Sequence, residues 1–314
     1  MRRELRLPLT AQGRLDRAVA DALGMGRAAV KAAFAAGEVR VRGRRARPSD
    51  PASPGALVEL EVEEPAGPPL PEPEQPLVVL AEGARWLVAD KPPGAPTHPL
   101  AAGEEGTLAN AVVARFPECA AASPDAREGG AVQRLDLETS GCVLFARDAE
   151  AWEALRAQFH ARSIEKVYRA LVVGRLPAGG VCSVPLAQRG GRVVAVPDPL
   201  APSAQRHGQG RPREAETWYE VERVFGGHTL LSVRIVTGVM HQIRAHLAFL
   251  GHPVLGDGLY GGVAAEMPLT TRHYLHAARV GFARPEDGVR QLVESPMPRD
   301  FQAMLERLAA KDGR

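Results

Sequence analysis

A guanidinium and a carboxylate flank a single leucine in the most informative segment of this chain. Residues 133–141 read QRLDLETSG and lead directly into the apolar run CVLFA at 142–146. Arg134 and Asp136 therefore lie at the mouth of a predicted buried strand, where an ionised carboxylate is costly unless it is paired and hydrogen-bonded. Charged loops on a rigid sheet are typical of catalytic sites. A polar turn that closes the strand explains this segment equally well.

Two further blocks carry groups that could act together with this carboxylate. Residues 242–250 are predicted to be helical, and His241 and Arg244 lie one turn apart, away from the apolar stripe of that helix. Tyr168 lies on a strand predicted over 166–173, and a Gly-rich loop follows the helix at 251–261.

Each of these residues also has a purely structural interpretation. Tyr168 fits a half-buried strand aromatic, Arg244 a surface helix residue, and His241 and His246 ordinary hydrogen-bonded histidines. The histidine spacing at 241, 246 and 252 does not match the i,i+4 pair of a zinc-binding helix, and no acid accompanies it. The sequence therefore predicts no metal site.

Composition indicates a water-soluble globular protein. The chain has 314 residues, 24% of them charged and 45% hydrophobic, which is enough for two domains with a sizeable core. No apolar run approaches the ~20 residues of a transmembrane helix, and the N-terminus lacks the apolar stretch of a signal peptide. Three scattered cysteines suggest neither a disulfide framework nor a zinc site. We expect a cytoplasmic monomer that does not bind membranes.

The net charge of +2 hides a strong asymmetry along the chain. Residues 1–50 contain twelve Lys or Arg against five acids, a balance of +7, whereas residues 51–76 contain six Glu, no basic residue and eight Pro. This pattern favours a nucleic-acid contact surface followed by a linker, although a solvated arginine-rich surface would look similar.

The elements that must position these groups follow from periodicity and turn residues. The N-terminal part is predicted to form helices at 14–22 and 26–36 and strands at 39–43 and 56–62. The larger part is predicted to contain a hairpin at 77–80 and 86–89, helices at 107–116 and 151–160, strands at 166–173 and 228–236, and an insert at 186–215 that could form an RNA-gripping hairpin. Strands outnumber helices without regular alternation, which favours a mixed antiparallel sheet over a doubly wound fold.

The N-terminal part resembles the small RNA-binding domain named after ribosomal protein S4. The matching segments are RLD at 14–16, GRA at 26–28, GEVRVRG at 37–43 and PG at 54–55. Arg42 stands where that family usually has Asn. The resemblance implies RNA contacts through six basic residues, namely Arg27, Lys31, Arg40, Arg42, Arg44 and Arg45.

Residues 75–305 resemble the RluA-type pseudouridine synthases, which convert uridine to pseudouridine in structured RNA. The matching blocks, in the order and spacing of the family, are KPPG at 91–94, RLDLETSG at 134–141, KVYRA at 166–170, HQIRAHL at 241–247, LHA at 275–277 and PMP at 296–298. Such an ordered set is far more specific than any single motif.

The resemblance implies a role for each matching residue. Asp136 corresponds to the carboxylate that acts on the sugar as a nucleophile or a base, and Arg244 to its basic partner. Tyr168 corresponds to the phenol that packs on the flipped base and can assist proton removal. Arg134 corresponds to the residue that replaces the extruded uridine in the stack. The predicted substrate-binding set is completed by Lys91, Lys166, His241, Gln242 and Leu275. The reaction needs no cofactor and no metal.

Two positions depart from the family pattern. Gln133 stands where the family usually has His, and Val239 replaces the Arg of its Thr-Gly-Arg motif. Gln133 keeps a hydrogen-bonding side chain but not the charge, and Val239 removes a guanidinium that could contact phosphate or support the loop. Both changes therefore bear on RNA affinity, target choice and rate.

The sequence therefore predicts an α+β protein with a pseudouridine synthase fold, in which helices flank a mixed, largely antiparallel sheet. Its predicted parts are an S4-like domain at 1–64, a linker at 65–76, a catalytic domain at 77–308 and a tail at 309–314. The predicted function is uridine isomerisation in RNA, with ribosomal RNA of the large subunit favoured over tRNA. Two alternatives are a weakened RNA-binding factor for RNA folding or ribosome assembly, and a glycosidase, which would need a second acid such as Glu138.

Overall fold

Two separate units make up the fold. A computed structural model describes residues 2–23, 30, 33–35, 37, 39–61, 67–101, 103–197, 210–262 and 272–312. Contacts divide the chain into Met1–Gly67, the N-terminal unit, and Pro68–Arg314, the C-terminal unit. This division falls inside the segment predicted as a linker. None of the helices in the described ranges is both long enough and apolar enough to cross a membrane.

The N-terminal unit packs a helix against an antiparallel sheet. Its described elements are β1 Arg2–Arg6, α1 Leu15–Leu23, β2 Val39–Val41, β3 Arg44–Arg45 and β4 Leu57–Glu61, with sheet order β1-β4-β2-β3. Leu15 and Val19 of α1 are buried together with Val39 and Val58 of the sheet. The predicted first helix, the hairpin and the closing strand are confirmed, and the small sheet is consistent with an S4-like unit. Most of the predicted second helix, including Arg27 and Lys31, lies outside the described residues.

The β2–β3 hairpin exposes its arginines to solvent. Arg40, Arg42, Arg44 and Arg45 are all exposed, and within the described part of the chain none of them makes an ion pair. Arg42 has a left-handed backbone (φ 51°), a conformation that Asn adopts more readily than most residues. The family's usual Asn therefore suits this turn better, and Arg42 adopts the same left-handed backbone at a conformational cost.

A large mixed sheet forms the centre of the C-terminal unit. Its strands, among the described residues, are β5 Val78–Glu82, β6 Trp86–Lys91, β7 Ser140–Ala146, β8 Glu165–Val173, β9 Gly180–Cys182, β12 Thr217–Phe225, β13 His228–Ile235, β14 Leu275–Ala283 and β15 Arg290–Glu294. The order is β5-β6-β7-β14-β8-β13-β12-β9, with β15 on β14. Only β7 and β14 pair in parallel among these neighbours, so the predicted mixed, largely antiparallel sheet is confirmed.

Helices cover both faces of this sheet. They are α2 Leu108–Arg115, α3 Ala149–His160, α4 Gln242–Phe249 and α5 Arg299–Asp312, with 3-10 turns at Pro117–Ala121 and Ala126–Glu128. Strand β7 is buried throughout because its side chains alternate between faces: Val143 and Phe145 pack in the cluster of α2, Cys142 and Leu144 in that of α3. Thr107 caps α2 as predicted, and α5 extends four residues into the predicted tail.

A hairpin from the predicted insert packs against helix α4. Strands β10 Leu186–Arg189 and β11 Arg192–Ala195 are antiparallel. Leu186 and Val193 are buried in one cluster with Ala245 of α4, and Val239 packs against the same cluster. The predicted hairpin is confirmed for the described part of the insert, which omits residues 198–209.

Candidate active site

Asp136 and Arg244 meet although 108 positions separate them in the chain. Asp136 lies in the loop that enters β7, and Arg244 lies in the first turn of α4. The Nη1 atom of Arg244 donates to Oδ2 of Asp136 at 2.8 Å. The guanidinium side chain is only 8% exposed and the carboxylate 23%, so this pair is mostly shielded from water yet still open on one side.

A second carboxylate holds the guanidinium from behind. Asp257 accepts hydrogen bonds from Nε and Nη2 of Arg244 at 2.6 and 2.9 Å, and its side chain is fully buried. Burial opposes the charge of both groups. Their mutual bonds outweigh that cost, which lowers the pKa of Asp257 and raises that of Arg244. The sequence offered the Gly-rich loop as a signal, but Asp257 itself was not predicted as a functional residue.

The Gly-rich loop shapes itself around Asp257. The Oδ1 atom of this residue accepts the backbone N–H groups of Leu259 and Tyr260 at 3.0 and 3.2 Å. A Cβ on Gly256, which has a left-handed φ of 83°, would lie 2.0 Å from the carbonyl oxygen of Arg272. Glycine is therefore required where the loop passes another segment of backbone.

One oxygen of Asp136 stays free for chemistry. Its Oδ1 lies 3.8 Å from Nε2 of His241, which is too long for a hydrogen bond. The Tyr260 hydroxyl accepts the Val193 N–H at 2.9 Å, so its own proton is available for Nδ1 of His241, 3.2 Å away. That arrangement leaves the Nε2 proton facing Asp136. Burial lowers the pKa of His241, so its ring is neutral at neutral pH.

The threonine, serine and glycine after Asp136 fix the loop of Asp136 to β14 and to His273 just before it. Thr139 Oγ1 lies 2.7 Å from Nε2 of His273, and Ser140 Oγ lies 3.1 Å from Nδ1 of His276. A Cβ on Gly141 would lie 2.2 Å from the carbonyl oxygen of Ala277. These contacts depend on the parallel pairing of β7 with β14, which brings the loop of Asp136 beside Leu275.

Lys91 contacts the loop that carries Asp136. Its side chain is fully buried, and its ammonium donates to the carbonyl oxygens of Pro92, Ala95 and Leu137 at 3.0, 2.6 and 2.8 Å. Burial lowers the pKa of Lys91 to about 7, against the opposing effect of Asp136. Lys91 does not line the cavity described next, so its observed contacts position the loop and none of them faces a substrate.

A cavity of about 380 Å³ opens beside the ion pair. That volume is within the range of ligand sites. It contains all three predicted catalytic residues and five of the six predicted substrate-binding residues, Lys91 being the exception: Asp136, Tyr168, Arg244, Arg134, Lys166, His241, Gln242 and Leu275.

Tyr168 presents an uncommitted phenol to this cavity. It is half-buried, and its hydroxyl makes no hydrogen bond to any residue that the structure describes. Burial and the nearby charge of Asp136 raise its pKa. The phenol therefore keeps its proton at neutral pH.

Two polar side chains fix the loop that carries the Val239 departure. Gln242 accepts from the Thr237 hydroxyl and the Val239 N–H at 2.8 and 3.1 Å, and Lys166 donates to the Thr237 carbonyl at 3.1 Å. Gln133, the other departure, lines the cavity with a buried amide oxygen that has no hydrogen-bond partner in the described chain.

The remaining histidine of the α4 motif is structural. Both ring nitrogens of His246 lie 2.8 Å from an oxygen, Nδ1 from the Thr217 hydroxyl and Nε2 from the Val184 carbonyl. Among the described residues no group of three or more His, Cys, Asp or Glu side chains is placed to hold a metal ion.

Similar known proteins include several that are named as pseudouridine synthases. The family model described as RNA pseudouridylate synthase matches residues 85–249. An uncharacterized RNA pseudouridine synthase of Chloroflexus aurantiacus is 37% identical over 305 residues, which covers 96% of this chain and 92% of the relative. The ribosomal large subunit pseudouridine synthase D of Pseudomonas aeruginosa is 34% identical over 285 residues, covering 87% and 84%.

Solved structures support the same fold. Human RNA pseudouridylate synthase domain containing 1 aligns with a TM-score of 0.56 at 21% identity, covering 76% of this chain and 97% of the human chain. Human RNA pseudouridylate synthase domain containing 4 aligns with a TM-score of 0.54 at 23% identity, covering 73% and 92%. Together with the matching family model and relatives, this α+β fold shows that the chain belongs to the RluA-like family of RNA pseudouridine synthases, which are isomerases.

Proposed function

We propose that this protein isomerises specific uridines in large-subunit ribosomal RNA, with Asp136 as the catalytic carboxylate. The observation that carries the proposal is the asymmetry of that carboxylate. Its Oδ2 is held by Arg244, whereas its Oδ1 faces a cavity and has no hydrogen-bond donor within reach among the described residues. To act on a ribose as a nucleophile or a base, a carboxylate must be held in place and keep one oxygen free.

The reaction exchanges one bond between sugar and base for another. The bond from C1′ to N1 breaks while Asp136 acts on the ribose, the uracil turns within the cavity, and a bond from C1′ to C5 forms. C5 loses its proton and N1 gains one, so substrate and product have the same composition. Tyr168 packs on the base, and burial raises the pKa of its phenol.

Arg134 and Lys91 serve this reaction from different places. Arg134 is exposed at the edge of the cavity and fills the gap that an extruded uridine leaves in the RNA stack, a step that otherwise costs a few kcal/mol. Lys91 acts as a positioning residue, because its ammonium joins the KPPG loop to the carbonyl of Leu137, next to Asp136.

Two observations favour ribosomal RNA as the target. The relatives of Pseudomonas aeruginosa and Xanthomonas campestris, at 34% and 35% identity, are named ribosomal large subunit pseudouridine synthase D. The N-terminal unit exposes four arginines on one hairpin, and exposed unpaired cations suit the phosphate backbone of a folded RNA.

The test is turnover on a defined RNA. Wild-type protein is incubated with a large-subunit rRNA transcript, and pseudouridine is mapped at nucleotide resolution. We expect Asp136→Asn to lower the rate on the order of 10³-fold or more while RNA binding is retained. Asp287→Asn, a surface carboxylate paired with Arg284, is the matched control and should leave the rate unchanged.

A weakened RNA-binding factor would give the opposite result. Wild type would then bind the transcript but form no pseudouridine in rRNA or tRNA. The intact pair of Asp136 and Arg244 speaks against this alternative, since a chain that only binds RNA gains nothing from holding two carboxylates against one buried guanidinium. If the wild type is active, mapping pseudouridine in cells that lack the protein identifies the target uridine.

A further inference from the structure

The cavity beside Asp136 has more cations than its chemistry uses. Asp136 is the only acid among the described residues that line it, and it is already paired with Arg244. Four other cations line the same cavity, and within the described chain none of them forms an ion pair: Arg134, Arg156, Lys166 and Arg213. Because Arg134 is assigned above to the RNA stack, three cations of this cavity remain that have no carboxylate partner in the described chain.

Lys166 is the most deeply placed of the three. Its side chain is buried, and its ammonium is bonded to the carbonyl of Thr237 and lies 5.5 Å from the centre of the Phe159 ring. Burial lowers its pKa to about 8. A buried ammonium without a carboxylate is unfavourable in the free protein, and an anionic ligand would relieve that cost.

Arg156 of helix α3 has one N–H donor that makes no hydrogen bond within the described chain. Its Nη1 donates to the carbonyl of Val132 at 2.9 Å, and its guanidinium stacks 5.5 Å above the Trp152 ring. The Nε atom is buried and has no hydrogen-bond partner among the described residues. The side chain is therefore held in place while one N–H remains unsatisfied beside the cavity.

Arg213 reaches the cavity from a fixed backbone. Its N–H and carbonyl exchange hydrogen bonds with Leu186 of β10, both at 2.9 Å. Ala215 and Thr217 of the same segment are buried against α4, whereas Glu214 is exposed and pairs with Arg162. Arg213 lines the cavity with Val239, where the family motif carries a guanidinium.

We infer that Lys166, Arg156 and Arg213 form a subsite for one backbone phosphate of the RNA, next to the ribose on which Asp136 acts. Guanidinium groups match the geometry of phosphate oxygens, and an ammonium adds a point charge. Every ribose within an RNA chain has a phosphate on each side, so a ribose held at Asp136 brings one within reach of the cavity wall. This inference rests on the proposed function.

The first test measures binding of the full chain to the large-subunit rRNA transcript. Arg213→Gln is expected to weaken binding on the order of tenfold and to reduce the slope of log affinity against log salt by about 0.7 to 0.9, the value for one phosphate that the protein no longer neutralises. Arg307→Gln, an exposed arginine of α5 that does not line the cavity, is the control. Equal affinity and slope for the two variants would overturn the inference.

The second test identifies the phosphate. Once the target uridine is mapped, synthetic RNAs carry an uncharged methylphosphonate on its 5′ or 3′ side. The Arg213→Gln defect should appear in KM with kcat within about twofold of wild type, and should vanish on one of the two RNAs. A defect that persists on both would overturn the inference.

The two proposals fail separately in these tests. Salt-dependent binding is measured whether or not the transcript is turned over, so a wild type that forms no pseudouridine overturns the proposed function alone. Arg213 is exposed, so its replacement does not compromise folding, and Arg156→Gln provides a second, independent substitution with the same expected change in slope.

Discussion

Arginines serve opposite purposes in the two units of this protein. In the C-terminal unit, Arg244 is buried and bonded to two carboxylates. In the N-terminal unit, the arginines of the β2–β3 hairpin are exposed and lack ion pairs within the described residues. A paired, buried guanidinium fixes geometry, because it cannot lose its proton and must keep its partners. Exposed ones supply affinity that depends on salt.

This comparison separates catalysis from binding in measurable terms. Changes around Arg244 should alter kcat and stability with little effect on the salt dependence of RNA binding. Changes in the hairpin should do the reverse. Arg213 of the inferred phosphate subsite is intermediate, since it lines the catalytic cavity yet is exposed.

The largest effect on stability is expected from Asp257→Asn. The substitution keeps the size of the side chain but leaves Arg244 with one carboxylate, Asp136, and removing one partner of a buried pair typically costs about 3–5 kcal/mol of stability. We also expect kcat to fall about 100-fold, because the guanidinium that orients Asp136 loses its own support. Urea unfolding and single-turnover kinetics measure the two effects.

Asp300→Asn is the matched control for this prediction. Asp300 accepts two hydrogen bonds from Arg272, another buried arginine, at 2.6 and 3.1 Å. This variant should lose stability but retain kcat, since the pair lies outside the cavity. If both variants retained kcat, Asp257 would contribute to stability and not to catalysis. The buried arginine would then have no demonstrated role in the reaction.

A smaller, pH-dependent effect is expected from Lys91→Met. Burial lowers the pKa of Lys91 to about 7, whereas the unfolded side chain titrates near 10.5. Between these values the unfolded chain binds a proton that the folded chain does not, so wild-type stability should rise with pH by up to about 1.4 kcal/mol per unit relative to the variant. Urea unfolding from pH 7 to 10 measures this difference.

Parallel stability profiles would contradict the prediction. They would mean that the three carbonyl acceptors hold the ammonium charged despite its burial. Lys311→Met, on the last turn of α5, is the control and should show no additional slope.

The pairing of Asp136 with Arg244 could be predicted from sequence, whereas the contacts that support it could not. Asp136 and Arg244 stand in ordered motifs whose spacing identifies them without coordinates. Asp257 lies in a Gly-rich loop that predicts only tight turns, and its contact with Arg244 depends on how that loop folds over α4. Lys91 is predicted from the sequence as a substrate-binding residue, because nothing local reveals that three carbonyl oxygens converge on it.

The same limit applies to the fold. Strand β7 was predictable because it is apolar throughout, whereas β12 exposes much of its length and loses its alternation at the register irregularity between Val221 and Arg223. Arg213 reaches the cavity because its backbone pairs with Leu186. The periodicity of neighbouring residues does not predict a pairing between segments that far apart in the chain. Long-range pairing therefore decided the features that sequence patterns missed.

The smallest effect on turnover is expected from the N-terminal hairpin. Replacing Arg40, Arg42, Arg44 and Arg45 by Gln should lower the salt slope of RNA binding by up to about 0.9 for each phosphate that is no longer neutralised, and leave kcat at saturating RNA unchanged because no group at Asp136 is altered. Arg14→Gln is the control within the same unit: its guanidinium is already paired with Asp16 at 2.8 Å, so its replacement should hardly change the slope. A hairpin variant with the wild-type slope would assign the affinity to the C-terminal unit, and a lowered kcat would show that the N-terminal arginines also contribute to catalysis.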